Sequence, residues 1–470
     1  MKPTNEHRKA AARTAAITTE PVAITLYRLT LPMTGGIVAL MGLGLADAYF
    51  IAQIGLNELA ALGFALPVTY GVNSIGLGLG MAISVLVSRY LGQNRPQAAA
   101  RLITDARVLV IVAGLGLQLM LYCSLEPLLS LMGAGQQVLG LAAEFMALWL
   151  PVVPVLLLTL TANTTLRAIG SPGKSAAVLA LLAIANAALD PLLIFGYGPL
   201  PGIGIAGAGL ASALAWLIAF TVSDYMLGAQ ERLILRGRLR PRPMFLNWRR
   251  LLTVGIPAIV ANLTTPLAAA ILTALIATYG ATAIAGFTVA TRIEALCLLV
   301  VFALSSTLPM FIGQNLGARR YDRIETALFG TLRFSLLLQA LIWLALLPGA
   351  QRVTPWFSDN PEVSTVANFY LWIVPLSYGG QAITILVMVS LNVLQRPKTA
   401  LWVTVLRLLL ITLPLALLGS YLGGLSGLFT GFAIGNAFAG VIAWRIARSV
   451  WQEHVNQHAT RGKKTPVEPG

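Results

Sequence analysis

Charge is what this 470-residue chain has least of: 10% of it is Asp, Glu, Lys or Arg, against roughly 25% in an ordinary soluble domain. A soluble globule this poor in charge could not cover its own surface. With 57% apolar residues and a mean hydropathy of +0.79, the chain reads as one whose solvent is a lipid bilayer. Cysteine is nearly missing too. Cys123 and Cys297 both lie in apolar runs, which excludes a disulfide framework and a thiolate metal set. No nucleophile–base set and no metal cluster can be assembled from the sequence, so neither an enzyme nor a bound cofactor is expected. A removable leader is not expected either. The N-terminal tail carries Lys2, Arg8, Lys9 and Arg13, but no short apolar core with a cleavage site follows.

The charge that is present is mostly positive, with a net of +15. A basic protein invites a nucleic-acid reading. Here the cations are spread over the ends of apolar segments instead of being gathered on one domain, which suits anionic headgroups and excludes nucleic acid as a partner. Those apolar segments are continuous and long enough to cross a hydrocarbon core of roughly 30 Å as helices. They fall at 28–52, 59–88, 102–124, 139–163, 175–195, 203–227, 251–278, 283–312, 328–349, 364–392, 399–419 and 425–448. Continuous runs argue against a barrel, whose strands alternate. The expected fold is an all-α membrane protein of twelve transmembrane helices.

Orientation follows from the connections. The even-numbered loops hold Arg95 and Arg101; Arg167 and Lys174; a run from Arg232 through Arg236, Arg238, Arg240 and Arg242 to Arg249 and Arg250; Arg319, Arg320 and Arg323; and Arg396 with Lys398. The odd-numbered loops carry Glu58, Glu126, Asp359 and Glu362, with Arg352 as the exception. Excess positive charge marks the cytoplasmic side. Both termini are therefore expected in the cytoplasm of a multi-pass protein of the bacterial inner membrane.

The chain also repeats itself. Leu31-Pro32 recurs as Ile256-Pro257, Gly55 as Gly280, Gly92-Gln93-Asn94 as Gly313-Gln314-Asn315, and Phe145 with Pro151 as Phe369 with Pro375. Two pseudo-symmetric six-helix bundles of the same topology are implied. The expected organisation is a tail at 1–24, an N-lobe at 25–227, a basic linker at 228–250 with room for a short interfacial helix, a C-lobe at 251–448 and a tail at 449–470.

Ionisable groups inside the spans are costly and therefore informative. Asp47 lies in the first span about 9 Å inside its outer end, at ~1.5 Å per residue. Asp190 sits at a similar depth in the fifth span. Asn186 and Asp190 are spaced i,i+4 and share a helix face. If that face looks towards Asp47, the first half holds a pocket of two carboxylates and an amide, which would bind a proton or a cation. The plainer alternative is that a lone aspartate near a helix end serves only as a hydrogen-bonding group. Against it, the pseudo-equivalent of Asp47 is Leu272, and those of Asn186 and Asp190 fall near Ile411 and Leu415, so the repeat does not need these groups to fold. Glu294 lies near the middle of the eighth span, where it either lines a cleft or pins the helix to a neighbour. Arg292, two positions away, points elsewhere. Arg107, Asp224 and Arg407 are expected to be structural or to snorkel. Pro32 interrupts the hydrogen-bond ladder of the first helix and would let it bend.

Residues 25–450 resemble the multidrug and toxic compound extrusion (MATE) transporters, and more closely their DNA-damage-inducible, DinF-like branch. The resemblance rests on Leu31-Pro32, Ala46-Asp47-Ala48-Tyr49-Phe50, Leu59-Ala60-Ala61-Leu62-Gly63, Gly92-Gln93-Asn94, Asn186-Ala187-Ala188-Leu189-Asp190-Pro191, Arg292-Ile293-Glu294 and Gly313-Gln314-Asn315-Leu316-Gly317. It implies two six-helix lobes exporting organic cations or amphiphiles by antiport, with no catalytic site and no resident cofactor, in a monomer surrounded by lipid. It further implies a proton-linked site at Asp47, Asn186 and Asp190, and a bend of the first helix at Pro32. Tyr49, Arg292 and Glu294 become candidates for the cleft. Spans 251–278 and 364–392 lack the acids of the sodium-linked branch, so H+ is the expected coupling ion, with Na+ coupling and a lipid-linked intermediate flippase as the alternatives.

Overall fold

The computed structural model describes residues 5–131, 135–198, 200–235, 241–356 and 360–462. Lys2 of the basic tail and the loop residues Arg236, Arg238, Arg240 and Asp359 lie outside them, as do the two ends of the chain.

A helix α1 (Asn5–Thr19) precedes the first span, α2 (Val22–Ala52). Then come α3 (Leu56–Gly92), α4 (Pro96–Leu131), α5 (Gln136–Trp149), α6 (Val153–Ala168), α7 (Pro172–Ile194) and α8 (Gly204–Tyr225). Next are α9 (Pro241–Ala277), α10 (Ala281–Cys297), α11 (Leu299–Gly317), α12 (Tyr321–Val353), α13 (Pro361–Ile373), α14 (Tyr378–Val393), α15 (Pro397–Val405) and α16 (Leu413–Gly462). A two-residue hairpin, Gly196–Tyr197 with Leu200–Pro201, accounts for the strands among the described residues.

More helices than spans appear because proline and glycine subdivide the crossings. Pro151 and Pro375, which occupy matching places in the repeat, each sit in a short 3-10 turn, Leu150–Val152 and Val374–Ser377. A proline has no N–H for the helical ladder, and the tighter turn absorbs the gap. Thus α5 and α6 form one crossing, and α13 and α14 form another. The eighth span, expected as one run over 283–312, is divided at Leu298 into α10 and α11. A second correction concerns the linker: its later part is the beginning of α9, continuous with the seventh span, and not a separate interfacial helix.

The last two spans are joined the opposite way. Residues 397–456 run as one apolar helical stretch of 60 residues, yet Gly423 and Gly424 leave helical geometry (φ −142° and +60°) and reverse the chain. A Cβ on Gly419 would come within 2.0 Å of the Gly427 carbonyl, and one on Gly431 within 2.0 Å of the Leu415 carbonyl. Only glycine allows two backbones this close, so 399–422 and 425–448 form a tight helical hairpin. Among the described residues eleven stretches are long and apolar enough to cross a membrane, and dividing this one gives twelve.

The chain separates into two compact units: residues 1–266 with 309–318, and residues 267–308 with 319–470. In each, some helices show apolar side chains outward at helical spacing, as Val112, Leu115 and Leu119 do on α4 and Leu337, Leu341 and Leu344 on α12. In water such stripes would be a liability; in a bilayer they are the lipid face.

Candidate functional site

Within the first unit, α2 lies against α7 along its length. The two helices run parallel and come nearly to backbone contact at Gly36, whose missing Cβ would lie 2.9 Å from Ala176 Cα. Further towards their C-terminal ends the same two faces carry the acids. Asp47 of α2 comes within hydrogen-bonding reach of both Asp190 and Asn186 of α7. Asp190 and Asn186 are fully buried, at 0% and 1% exposure, while Asp47 is half-buried. Asn186 donates to Ser212 Oγ of α8 at 3.2 Å. The three residues singled out from sequence are thus brought together. Beyond them Phe50 and Phe195 meet edge to face, with centroids 6.5 Å apart, at the C-terminal ends of the two helices.

The donors and acceptors at this site do not balance. Asp47 Oδ1, both carboxylate oxygens of Asp190 and Asn186 Oδ1 are buried with no hydrogen-bond donor. Carboxylates only accept when ionised, so two of them side by side leave three of their four oxygens without a donor. One proton changes this, turning one acid into a donor to the other and halving the charge.

The other residues singled out are scattered. Pro32 lies inside α2, whose helical assignment continues through it; the carbonyl one turn earlier, that of Arg28, loses its ladder partner. Tyr49 is 64% exposed and stacks edge-on with Phe50 at 5.4 Å. Arg292 is exposed on α10 and does not pair with Glu294.

Glu294, in the second unit, sits in a separate polar cluster. Its carboxylate accepts hydrogen bonds from the Tyr370 hydroxyl and, at 3.1 Å, from Gln381 Nε2. Arg407 is close enough to interact electrostatically and donates its Nε to Asn436 Oδ1 at 3.1 Å. Tyr370 and Tyr378, which also lies close, are fully buried. Of the two roles the sequence leaves open for it, structural or snorkelling, Arg407 has the position of the first: it turns inward. It occupies a π-helical segment, Leu406–Thr412, whose wider turn re-aims side chains. Arg107 pairs with Asp224 at 2.5 Å, as a structural role requires.

Sequence reasoning passed over Tyr370, Tyr378, Gln381 and Asn436, though a glutamine and an asparagine inside apolar runs are themselves signals. It also missed Glu231. This 6%-exposed carboxylate receives hydrogen bonds from Lys174 at 2.7 Å and from Arg13 of α1 at 3.0 Å.

The MatE family model matches the chain twice, over residues 32–192 and 257–418, beginning each time at the repeated proline. A FAD transporter of Shewanella oneidensis is 37% identical over 430 residues, covering 92% of this chain and 95% of that protein. Among solved structures, the Vibrio cholerae MATE transporter VcmN in its bent form is similar with a TM-score of 0.86 at 29% identity, covering 94% of this chain and 98% of that one. An outward-facing multidrug resistance MATE transporter of the MOP superfamily is similar in fold, with a TM-score of 0.87 at 21% identity over 96% and 99% of the two chains.

Proposed function

From the premise that the chain belongs to the MatE family of multi-pass membrane transporters, which are not enzymes, we propose that it is a proton-coupled exporter whose coupling centre is Asp47 with Asp190 and Asn186. It works as a monomer of the DinF-like kind in the bacterial inner membrane, with both termini in the cytoplasm, and its two lobes meet the boundaries 25–227 and 251–448. The observation that carries the reading is the buried trio of donorless carboxylate oxygens, one on Asp47 and two on Asp190. A shared proton supplies the missing donor, and its loss restores repulsion between two like charges in a medium that screens them poorly.

Conversion of that proton into motion runs through α2. Asp47 and Pro32 lie on the same helix, about 22 Å apart at ~1.5 Å per residue. Protonation lets Asp47 and Asp190 draw together; deprotonation drives α2 off α7, and the helix yields where its ladder already lacks a bond. A proton moving inward contributes about 2.3 kcal/mol per 100 mV, enough to bias two conformations of similar energy appreciably. The scarcity of acids in 251–278 and 364–392 supports H+ over Na+.

Two cargo classes are in play. Organic cations and amphiphiles suit the breadth of the family. A flavin dinucleotide is favoured by the 37%-identical FAD transporter, and by Arg292, an exposed cation far from either end of its span that would complement a pyrophosphate. A lipid-linked cargo has no comparable support.

Everted vesicles test the coupling. With an inward-acid gradient imposed, the native chain should accumulate ethidium or FAD, and Asp47→Asn should lose at least ten-fold of the rate. Equal accumulation by both would remove Asp47 from the mechanism. Uptake driven by a sodium gradient at constant pH would replace the proton with Na+. Whichever cargo is accumulated fixes the substrate class.

A further inference from the structure

The repeated motif Gly92-Gln93-Asn94 and Gly313-Gln314-Asn315 has no part in the coupling centre. Both copies lie at the end of the molecule that carries the basic loops, and in the first unit they meet. A Cβ on Gly92, the last residue of α3, would stand 2.0 Å from the Gln314 carbonyl oxygen of α11. One on Gly317 would stand 2.3 Å from the Arg89 carbonyl and 2.8 Å from the Gly92 carbonyl carbon. The ends of the second and eighth spans thus lie backbone on backbone along a glycine seam, a contact rich in dispersion and free of interlocking side chains.

Two buried amides hold the seam from its second-repeat side. Gln314 Nε2 donates to the Ala168 carbonyl at the end of α6 at 2.9 Å. Asn315 Nδ2 donates to the Phe311 carbonyl at 2.9 Å and, more weakly, to the Ile17 carbonyl of α1 at 3.4 Å. Ile17 is 4% exposed. Its Cδ1 occupies the space a Cβ on Gly170 would need, 2.8 Å from it, in a turn whose φ of +82° already favours glycine. Arg13, one turn earlier, donates to Ser171 Oγ and reaches Glu231 with both terminal nitrogens, and Lys174 completes the cluster. Helix α1 is therefore pinned at one end of a seam to which the first and second repeats each contribute one strand of backbone.

An exporter must admit cargo from the basic-loop side, so what closes that side must part once per cycle. We propose that the α3–α11 glycine seam is the cytoplasmic gate and that α1 is its bolt, making Gly92, Gly317, Gln314, Ile17 and Arg13 gating residues. The seam suits a contact broken repeatedly. It loses close packing and two amide hydrogen bonds when it opens, and it holds no ion pair across α3 and α11. The ionic cluster lies on α1, where it sets how firmly the bolt is seated. This assignment goes beyond the coupling centre and holds whichever ion drives transport.

A reversible cross-link tests it. Thr14 of α1 and Ala318, just beyond α11, line the same cleft of about 240 Å³. In a Cys123→Ser/Cys297→Ser background, Thr14→Cys with Ala318→Cys is bridged by a short bifunctional thiosulfonate. Bridging should reduce transport at least ten-fold, reduction should restore it, and neither single cysteine should respond. A bridged protein that transports at the unbridged rate overturns the gate. Should the double variant fail to insert, Asn315→Cys alone carries the test, since Asn315 is 0% exposed with the seam shut. Its alkylation by an impermeant maleimide from the basic-loop side should rise at least five-fold during turnover. Labelling that stays at the resting level while cargo is moved would overturn the gate as well. Because Asp47→Asn stops coupling without touching the seam, failure of one reading is distinguishable from failure of the other.

Discussion

The carboxylates of Asp47 and Asp190 and that of Glu294 all lie inside the spans, and the two sites differ in their donors. At Asp47 and Asp190 the oxygens outnumber the donors, and three of them have none. At Glu294 a tyrosine and a glutamine donate directly and an arginine stands near. The first arrangement lacks donors that one shared proton would supply; the second already has its donors in neighbouring side chains. A buried acid is thus informative about function only after its partners have been counted.

The sharpest way to break that contrast is to neutralise each acid in turn. Asp47→Asn supplies an amide donor permanently, mimicking the protonated state, and is expected to fold normally while transport falls at least ten-fold. Thermal unfolding in detergent and vesicle uptake, measured on the same preparation, would separate the two effects. Glu294→Gln should do the reverse in kind, because it strands Arg407. Breaking one side of a buried pair costs about 3–5 kcal/mol when burial is complete, and Glu294 is only half-buried, so a loss of about 2 kcal/mol is expected. Glu294→Gln combined with Arg407→Gln should recover much of that stability. A double variant no more stable than the single would mean the two residues are not partners.

Smaller in effect, Gly36→Ala tests whether the acids depend on how closely α2 and α7 approach. Its Cβ would sit 2.9 Å from Ala176 Cα, against backbone that cannot swing aside. The helices must separate by some tenths of an ångström, which should weaken coupling several-fold with little loss of membrane insertion. Gly35→Ala, whose Cβ would meet nothing within 4 Å, is the control. Equal transport by the two would show that the spacing of α2 and α7 does not matter.

The parts of this architecture legible in sequence are those set by short-range rules. Spans declare themselves because a bilayer demands continuous apolar runs, and the acid pocket declared itself because Asn186 and Asp190 share a helix face and the repeat omits them elsewhere. Glycine and proline told where backbone would be irregular but not what form it would take. Pro151 and Pro375 became 3-10 turns, whereas Gly423 and Gly424 became a reversal. What stayed hidden depends on pairing across distance. For Arg407 the sequence leaves a structural and a snorkelling role both open, because nothing local says that a π-helical turn aims it at Asn436. The N-terminal tail shows only its basic residues in sequence and not the seat of its helix, because Glu231, the partner of Arg13, lies 218 positions away.

That last pairing also gives the mildest prediction, one that compares the interior acids with an acid outside the spans. Burial alone would push Glu231 up, but the hydrogen bonds and charges of Arg13 and Lys174 outweigh it and hold the carboxyl below its ordinary value of 4.5. A group whose pKa is depressed on folding contributes stability that is fully present above the unfolded value and lost as pH falls through the folded one. The seating of α1 should therefore be unchanged from neutral pH down to about 4.5 and loosen only below it, in contrast to Asp47, whose proposed role is to gain and lose a proton in every cycle. Hydrogen exchange of the amides of residues 12–19 against pH would show it, with Glu231→Gln already loosened at neutral pH. Protection that decays between pH 7 and 5 in the native chain would mean that some other group holds the helix in place.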